Sequence, residues 1–366
     1  MNINKSPDRK IDIRQNQVLY FGGTAYLGLQ TNLEFQEIVC KNIKIWGTSC
    51  GSSRLANVSL KAYEECENFL STFIKSEAAV TVSSGMLAGK IVIDEIKKSG
   101  TAFYHFNKNH AAILVENSMP FYVDNQLNSR LTDNRNEKIA IVCDAVLSGT
   151  VQPFDQSILD KISISKNITL VLDESHSLGI LGQNGYGLFS AINHKKINQK
   201  IIIVSLGKAL GVTAGIIASD KNFIDSIFQN KIFATSAGMN TAFAASLPEA
   251  KMLIERQHKK LQKNLLYIKD NLIANTLYDF NENYPLIYPN IDNINKLFQK
   301  KNIEITYFNY PNMLLNRIVI TANHTIADLA KMISVLNYYT KIYESTIDFI
   351  LDFLFCRFLC ATKHSV

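Results

Sequence analysis

KIIIVSLGKALGVTAGIIAS, residues 200–219, sets a single cation, Lys208, in a small-residue turn between two apolar runs. The first run, IIIV, is β-branched and apolar at every position, the signature of a strand buried on both faces inside a helix-covered sheet. A solvated lysine needs no such setting. One held at the mouth of a sheet is placed for the chemistry of its amine. Runs of the same kind recur upstream: AAVTVSS (78–84), TAFYH (101–105), KIAIVCDAV (138–146) and ITLVLDES (168–175). Helical patterns separate them, which predicts an α/β protein with a large, mostly parallel sheet. SGMLAGKIVIDEIKKSG, from Ser84, predicts a helix capped by that serine directly after a strand.

A long helical stretch over 239–273 then leads away from the sheet. PLIYP (285–289), IEITYF (303–308) and RIVITA (317–322) alternate with the helical patterns NINKLFQKK and TIADLAKMISVLNYYT, predicting a small α+β domain. The expected organisation is an N-terminal segment (1–50) packing with the small domain, a large domain (51–273), the small domain (274–345) and an apolar tail (346–366).

The 366 residues are 47% hydrophobic and 19% charged, a globular and soluble composition. A net charge of +6 suits an anionic small molecule, and lysines spread along the chain give no case for nucleic acid. Six cysteines form no CxxC pair, and the N-terminus lacks the apolar stretch of a signal peptide, so reduced thiols and a cytoplasmic location are expected. The most apolar segment, IDFILDFLFCRFLC (347–360), is too short to span a bilayer and carries Asp348, Asp352 and Arg357. An amphipathic helix packed on the protein is the preferred reading of this tail over membrane contact. No metal is expected.

Ligands of open α/β sheets bind beyond the carboxyl ends of the strands. Four features fall there: Ser84-Gly85-Met86 at a helix start, able to hold a phosphate; Asp173 and His176 after ITLVL; Lys208; and His110, in NKNHAAI after TAFYH. Singly, each has an ordinary explanation as a cap, a solvated acid, a structural histidine or a surface lysine. Their succession on strand ends is what points to a site.

That succession resembles the pyridoxal-phosphate enzymes of the aspartate-aminotransferase fold (fold type I), and within them the α-oxoamine synthases. Asp173-Glu-Ser-His176 with Gly179, Gly182, Gly185 and Gly187 is similar to the family's DxAHxxGxxGxxGxG run. Ser205-Leu-Gly-Lys208-Ala-Leu-Gly211 is similar to its lysine signature. YLGL (26–29), GSSRL (51–55) with Glu67, SSGM (83–86) and RIVITANHT (317–325) resemble further family segments, so the likeness covers residues 18 to 340.

The resemblance implies pyridoxal 5′-phosphate as cofactor, a small amino acid and an acyl-CoA as substrates, decarboxylative condensation, and a homodimer. It assigns Lys208 to the Schiff base and to proton abstraction, with the amine's pKa lowered. It puts Asp173 on the pyridine nitrogen, His110 against the ring, and His176 and Ser148 on the phenolic oxygen. Gly85, Met86 and Ser205, beside Ser84, would take the phosphate. Thr235 and Ser236 would reach the partner subunit's phosphate, and Arg317 would hold the substrate carboxylate. Departures fall on the substrate side: Thr24 replaces an asparagine, Val58 and Tyr63 a glycine and a histidine, Leu315 an arginine, and a proline pair after FATS is absent. Transamination with the same cofactor is the second reading, and a non-catalytic fold relative the third.

Overall fold

A computed structural model describes residues 2–106, 109–274, 276–310 and 313–343. The tail expected at 346–366 lies outside them. The central sheet has seven strands in the order Ala78–Val82, Gly215–Ser219, Ile197–Ser205, Lys166–Asp173, Glu137–Asp144, Ala102–His105, Met119–Pro120. From Ile197–Ser205 to Met119–Pro120 every neighbouring pair is parallel. Successive residues Ile139, Ala140, Ile141 and Val142 are all fully buried, so this strand packs on both faces, as its unbroken apolar run requires.

Gly215–Ser219 is the reversal in the sheet, antiparallel to both its neighbours. The chain between it and Ser205 is closed by Leu206 N–H donating to the Ala214 carbonyl at 3.0 Å. So short a link cannot make the crossover that a parallel pair needs, so the strand turns straight back. Lys208 therefore sits in a tight turn rather than at the start of a helix.

The helix Gly85–Lys97 starts as its sequence predicts, with the Ser84 hydroxyl accepting the Leu87 N–H at 3.1 Å. Its first turn is pressed against the sheet. A Cβ on Gly215 would lie 2.1 Å from the Ser84 carbonyl oxygen, and one on Gly85 would lie 2.8 Å from the Ser205 Cβ.

A second sheet of six strands has the order Lys10–Ile13, Asn16–Phe21, Ile303–Tyr310, Met313–Val319, Leu286–Pro289, Tyr278–Phe280. The N-terminal hairpin thus borders strands from the last third of the chain, with Asn16–Phe21 running parallel to Ile303–Tyr310. A helix over 326–343 closes the described chain, and no described helix is long and apolar enough to cross a membrane. The helix expected over 239–273 is instead two, Thr241–Glu249 and Lys251–Asn271, meeting at Ala250. Pro248 lacks an N–H and its ring crowds the preceding turn, which accounts for the break. The last predicted strand is also displaced, running Met313–Val319 rather than 317–322.

Gly215→Ala drives a methyl into backbone that cannot swing aside. It is expected to cost about 1–3 kcal/mol, read as a lower denaturant midpoint at unchanged m-value.

Candidate active site

The carboxyl ends of the parallel strands open on a cavity of about 300 Å³ whose wall includes His110, Ser148, Asp173, His176, Lys208 and Arg317. Register explains the acidic side. Asp173 and Asp144 end adjacent parallel strands and pair directly across them. Asp173 is 6% exposed and Asp144 8%. The Asp173 Oδ1 accepts the Ser175 N–H at 2.9 Å, and the Ser175 hydroxyl accepts the Ser205 N–H at 2.7 Å, tying the acid's strand to the lysine's. Burial, then the Asp173 charge beside it, push the Asp144 carboxyl up to about 7. Asp144 carries the same signal as Asp173, an acid closing an apolar strand, yet the family motifs give it no role.

Asp144 also accepts the His110 backbone N–H at 3.3 Å. The His110 Nδ1 accepts from the Ala112 N–H at 3.2 Å. At 3.8 Å from Asp173 that Nδ1 is too far for a hydrogen bond. The side chain is left about half exposed and forms part of the cavity wall.

The Lys208 Nζ lies 2.7 Å from the His176 Nε2, and the His176 Nδ1 lies 2.7 Å from the Tyr26 hydroxyl. Burial draws the amine down to about 8, opposed by Asp173 and Asp144 and aided by Arg317. The expected depression is present before any cationic ring arrives. Burial, with Lys208, Arg317 and His110 adding to it, holds His176 well below the usual histidine range, so its ring is neutral. The turn carrying Lys208 is clamped from outside by Gln30, whose amide donates to the Lys208 and Gly207 carbonyls at 2.7 and 3.0 Å.

Arg317 enters from the second sheet. One of its amines donates to the Gly23 carbonyl at 3.2 Å, and the guanidinium lies 5.3 Å from the centre of the Phe308 ring. Tyr288 shares the cavity wall with Arg317, and burial raises its phenol against the lowering pull of the Arg317 charge. Arg317 Nε is buried with no partner among the described residues, a donor lacking an acceptor.

Tyr284 and Tyr288 are cavity residues that motif reading misses, and Tyr26, which opens the YLGL segment, was given no role there although its hydroxyl meets His176. A tyrosine in a strand or turn looks like core, and its hydroxyl becomes informative only once its neighbours are known. Thr24, expected on the substrate side, is not in the cavity wall; Tyr26 of the same turn lies behind the wall, its hydroxyl on His176 Nδ1. Ser84, Gly85, Met86 and Ser205 also lie outside that wall. They meet one another at the strand ends, where the N–H groups of Gly85 and Met86 have no intrahelical acceptor. Thr235 and Ser236 spend their hydroxyls on the Lys231 and Ile232 carbonyls of their own helix and stay apart from the cavity. A wider cavity, about 500 Å³, opens beside Arg54, but that guanidinium is already held by Glu67 and the Thr81 carbonyl.

The donor set suits pyridoxal 5′-phosphate: a buried acid, an amine of lowered pKa, a half-exposed imidazole, and a helix start where any side chain at Gly85 would intrude. No family model matches the chain. The 8-amino-7-oxononanoate synthase of Petrotoga mobilis is 30% identical over 280 residues, 72% of this chain and 70% of that one. The serine palmitoyltransferase of Sphingobacterium spiritivorum is 28% identical over 286 residues, 74% of this chain and 71% of that one. Among solved structures, the serine palmitoyltransferase of S. paucimobilis, bound to PLP and myriocin, superposes with a TM-score of 0.77 over 93% of this chain and 92% of that one, at 16% identity. The 8-amino-7-oxononanoate synthase of Francisella tularensis gives 0.68 over 89% and 99%, at 19% identity.

Fold and relatives together define a pyridoxal-phosphate-dependent transferase of fold type I. Within that class the chain belongs to the α-oxoamine synthase family, which includes 8-amino-7-oxononanoate synthase and serine palmitoyltransferase.

Asp144 gives a pH test in the cofactor-free chain. Its folded pKa lies above the ordinary 3.8, so the stability tied to it is full below that value and is lost as pH rises through about 7. Asp144→Asn removes this loss. Its melting temperature should fall less than the wild type's between about pH 5 and pH 8, measured by calorimetry.

Proposed function

We propose that the protein joins the α-carbon of a small amino acid to the acyl group of an acyl-CoA, releasing CO2 and free CoA. The convergence of Lys208, Asp173, His176 and Arg317 on one cavity carries this reading. When bound, pyridoxal phosphate supplies the electron sink that lets charge build at the amino acid's α-carbon. Asp173 is placed to keep a proton on the ring nitrogen. Lys208, drawn down to about 8, is partly neutral near physiological pH and takes the α-proton at Nζ. The unpartnered Arg317 Nε offers the donor that a substrate carboxylate lacks once it leaves water. His176 and Ser148 orient oxygens at the phenolic edge, and His110 covers the ring.

Gly85, Met86 and Ser205 hold the phosphate in this scheme, with Ser84 fixing the helix start. Thr235 and Ser236, remote from their own cavity, serve the site of a second subunit, so the working form is a homodimer, which we place in the cytoplasm. The named relatives are acyl-transferring enzymes, which favours condensation over transamination.

Glycine, alanine and serine, each offered with short acyl-CoAs, test the reaction. Thioester-dependent release of CO2 and CoA is expected; amino transfer to a keto acid without CoA would overturn it. Lys208→Ala should abolish turnover and leave no cofactor that borohydride can fix to the chain. Arg317→Ala should raise the amino-acid KM roughly 10- to 100-fold, the loss of a charge-assisted hydrogen bond, while cofactor affinity stays within about 2-fold, well short of that loss.

A further inference from the structure

Asp144 is a buried acid of the cavity wall to which the reaction above gives no task. It closes the strand Glu137–Asp144 as Asp173 closes Lys166–Asp173, and the parallel register pairs the two directly. Paired residues of neighbouring strands project to the same side of a sheet, across a spacing of about 4.8 Å. Both side chains accordingly line the one cavity, Asp144 8% exposed and Asp173 6%. Each accepts a backbone N–H, Asp144 from His110 at 3.3 Å and Asp173 from Ser175 at 2.9 Å. Among the described residues, the one ion-pair contact of either acid is His110 Nδ1, 3.8 Å from an Asp173 oxygen. Two carboxylates set side by side out of water, with no lysine or arginine bridged to them, keep one proton between them. Asp173 has the shorter N–H bond and the imidazole, so the charge settles there and the proton on Asp144.

We propose that Asp144 is a proton-bearing positioning residue of the cofactor site: it holds a proton while the site is empty and gives it to solvent when a protonated ring nitrogen settles against Asp173. The Asp144 O–H bond breaks and its proton passes to water. The N–H of the ring supplies the positive charge beside which both carboxylates stay ionised. The empty cavity is thus spared a second buried negative charge, and the loaded one carries it only where a cation balances it. Asp144 acts through Asp173, adding to the negative charge that keeps the ring nitrogen protonated. The inference rests on the placement of that nitrogen at Asp173 proposed above, and it does not depend on the acyl transfer.

The ionisable groups that share the cavity with Asp144 come from every side of it. Asp173 and His176 follow the neighbouring strand, Lys208 sits in the turn after Ile197–Ser205, and His110 in the loop after Ala102–His105. Arg317, Tyr284 and Tyr288 approach from the second sheet. Cys143 precedes Asp144 on its own strand, its thiol raised by burial and then by Asp144. Lys208 Nζ is engaged by His176 Nε2 at 2.7 Å, and Arg317 donates to the Gly23 carbonyl at 3.2 Å, so neither cation is bonded to the acid pair. Burial and then the Asp173 charge raise Asp144 to about 7, in the sense the packing requires. Because the loaded form has Asp144 ionised, affinity for a ring cation should rise with pH up to about 7 and level off above it.

The test counts protons as pyridoxine 5′-phosphate binds to the full chain stripped of cofactor. Its alcohol cannot condense with Lys208, so that reaction adds nothing to the count. Calorimetry repeated in buffers of different ionisation enthalpy gives the number released. At about pH 6 the wild type should release at least about half a proton more than Asp144→Asn, and at about pH 8 the difference should shrink to roughly 0.1, as a group near 7 dictates. Subtracting the variant cancels any proton lost by the phosphate. Asparagine keeps an oxygen for the His110 N–H, so a role confined to holding that loop would leave the two counts equal. Infrared difference spectra of the wild type alone should show a protonated carboxyl band lost on binding, a readout independent of how the variant folds. Equal counts at about pH 6, or no loss of that band, would overturn the role of Asp144. Asp173→Asn should weaken the probe at least about 10-fold, the loss of a charge-assisted hydrogen bond. Unchanged affinity in that variant would overturn the placement of the ring nitrogen itself, a failure distinct from equal proton counts in a chain whose binding still needs Asp173.

Discussion

Charge held out of water at one edge of a sheet is the constraint on which the rest depends. Parallel register sets Asp144 beside Asp173, and the Ser175–Ser205 hydrogen bond fixes the strand that delivers Lys208. Two acids this close cannot both ionise cheaply, and a buried amine gives up its proton readily. The edge is thus polarised before anything binds. A ligand that is cationic at one end, carbonyl-bearing in the middle and anionic at the other relieves each of these costs, so preorganisation of the site and affinity for the cofactor have one origin.

The second sheet completes what the first begins. Arg317, Tyr284 and Tyr288 approach from it, while Gly23 and Tyr26 come from the turn after the N-terminal hairpin. The helix Lys251–Asn271 braces the joint. The Gln257 amide donates to the Leu27 carbonyl at 2.8 Å and to the Asn323 Oδ1 at 3.1 Å, and the Asn264 amide donates to the Thr321 and His324 carbonyls at 2.9 and 3.0 Å. Substrate recognition is in this way tied to the helix that leaves the large sheet, and a small shift of that helix would be felt at Arg317.

Much of this could be read along the chain, for a physical reason. Strands such as 137–144 and 166–173 are apolar on both faces because both faces are covered, and their last residues must meet solvent or ligand, so Asp173 and Lys208 stand out locally. The break at Ala250 was masked because the residues after Pro248 are strong helix formers and the pattern resumes at once. Tyr284 and Tyr288 are silent, and Tyr26 is visible only as part of the YLGL segment, because a phenol ring reads as core and only its distant neighbours reveal where the hydroxyl lies. Asp144 was legible by the same rule as Asp173 but lay outside any motif. The place of Asn16–Phe21 beside Ile303–Tyr310 depends on contacts remote in sequence, which no local pattern encodes.

That last pairing bears on how the protein is made. Arg9 meets Asp328 at 2.7 Å across 319 residues, and the hairpin beside it finds its sheet only when the final strands have left the ribosome. At roughly 5–20 residues per second, the nascent hairpin must wait on the order of 15–60 seconds with its apolar side uncovered. Through that interval Ile11, Val18, Leu19 and Phe21, all buried in the finished fold, offer a binding surface to chaperones and a sticking point to neighbouring chains on the same messenger.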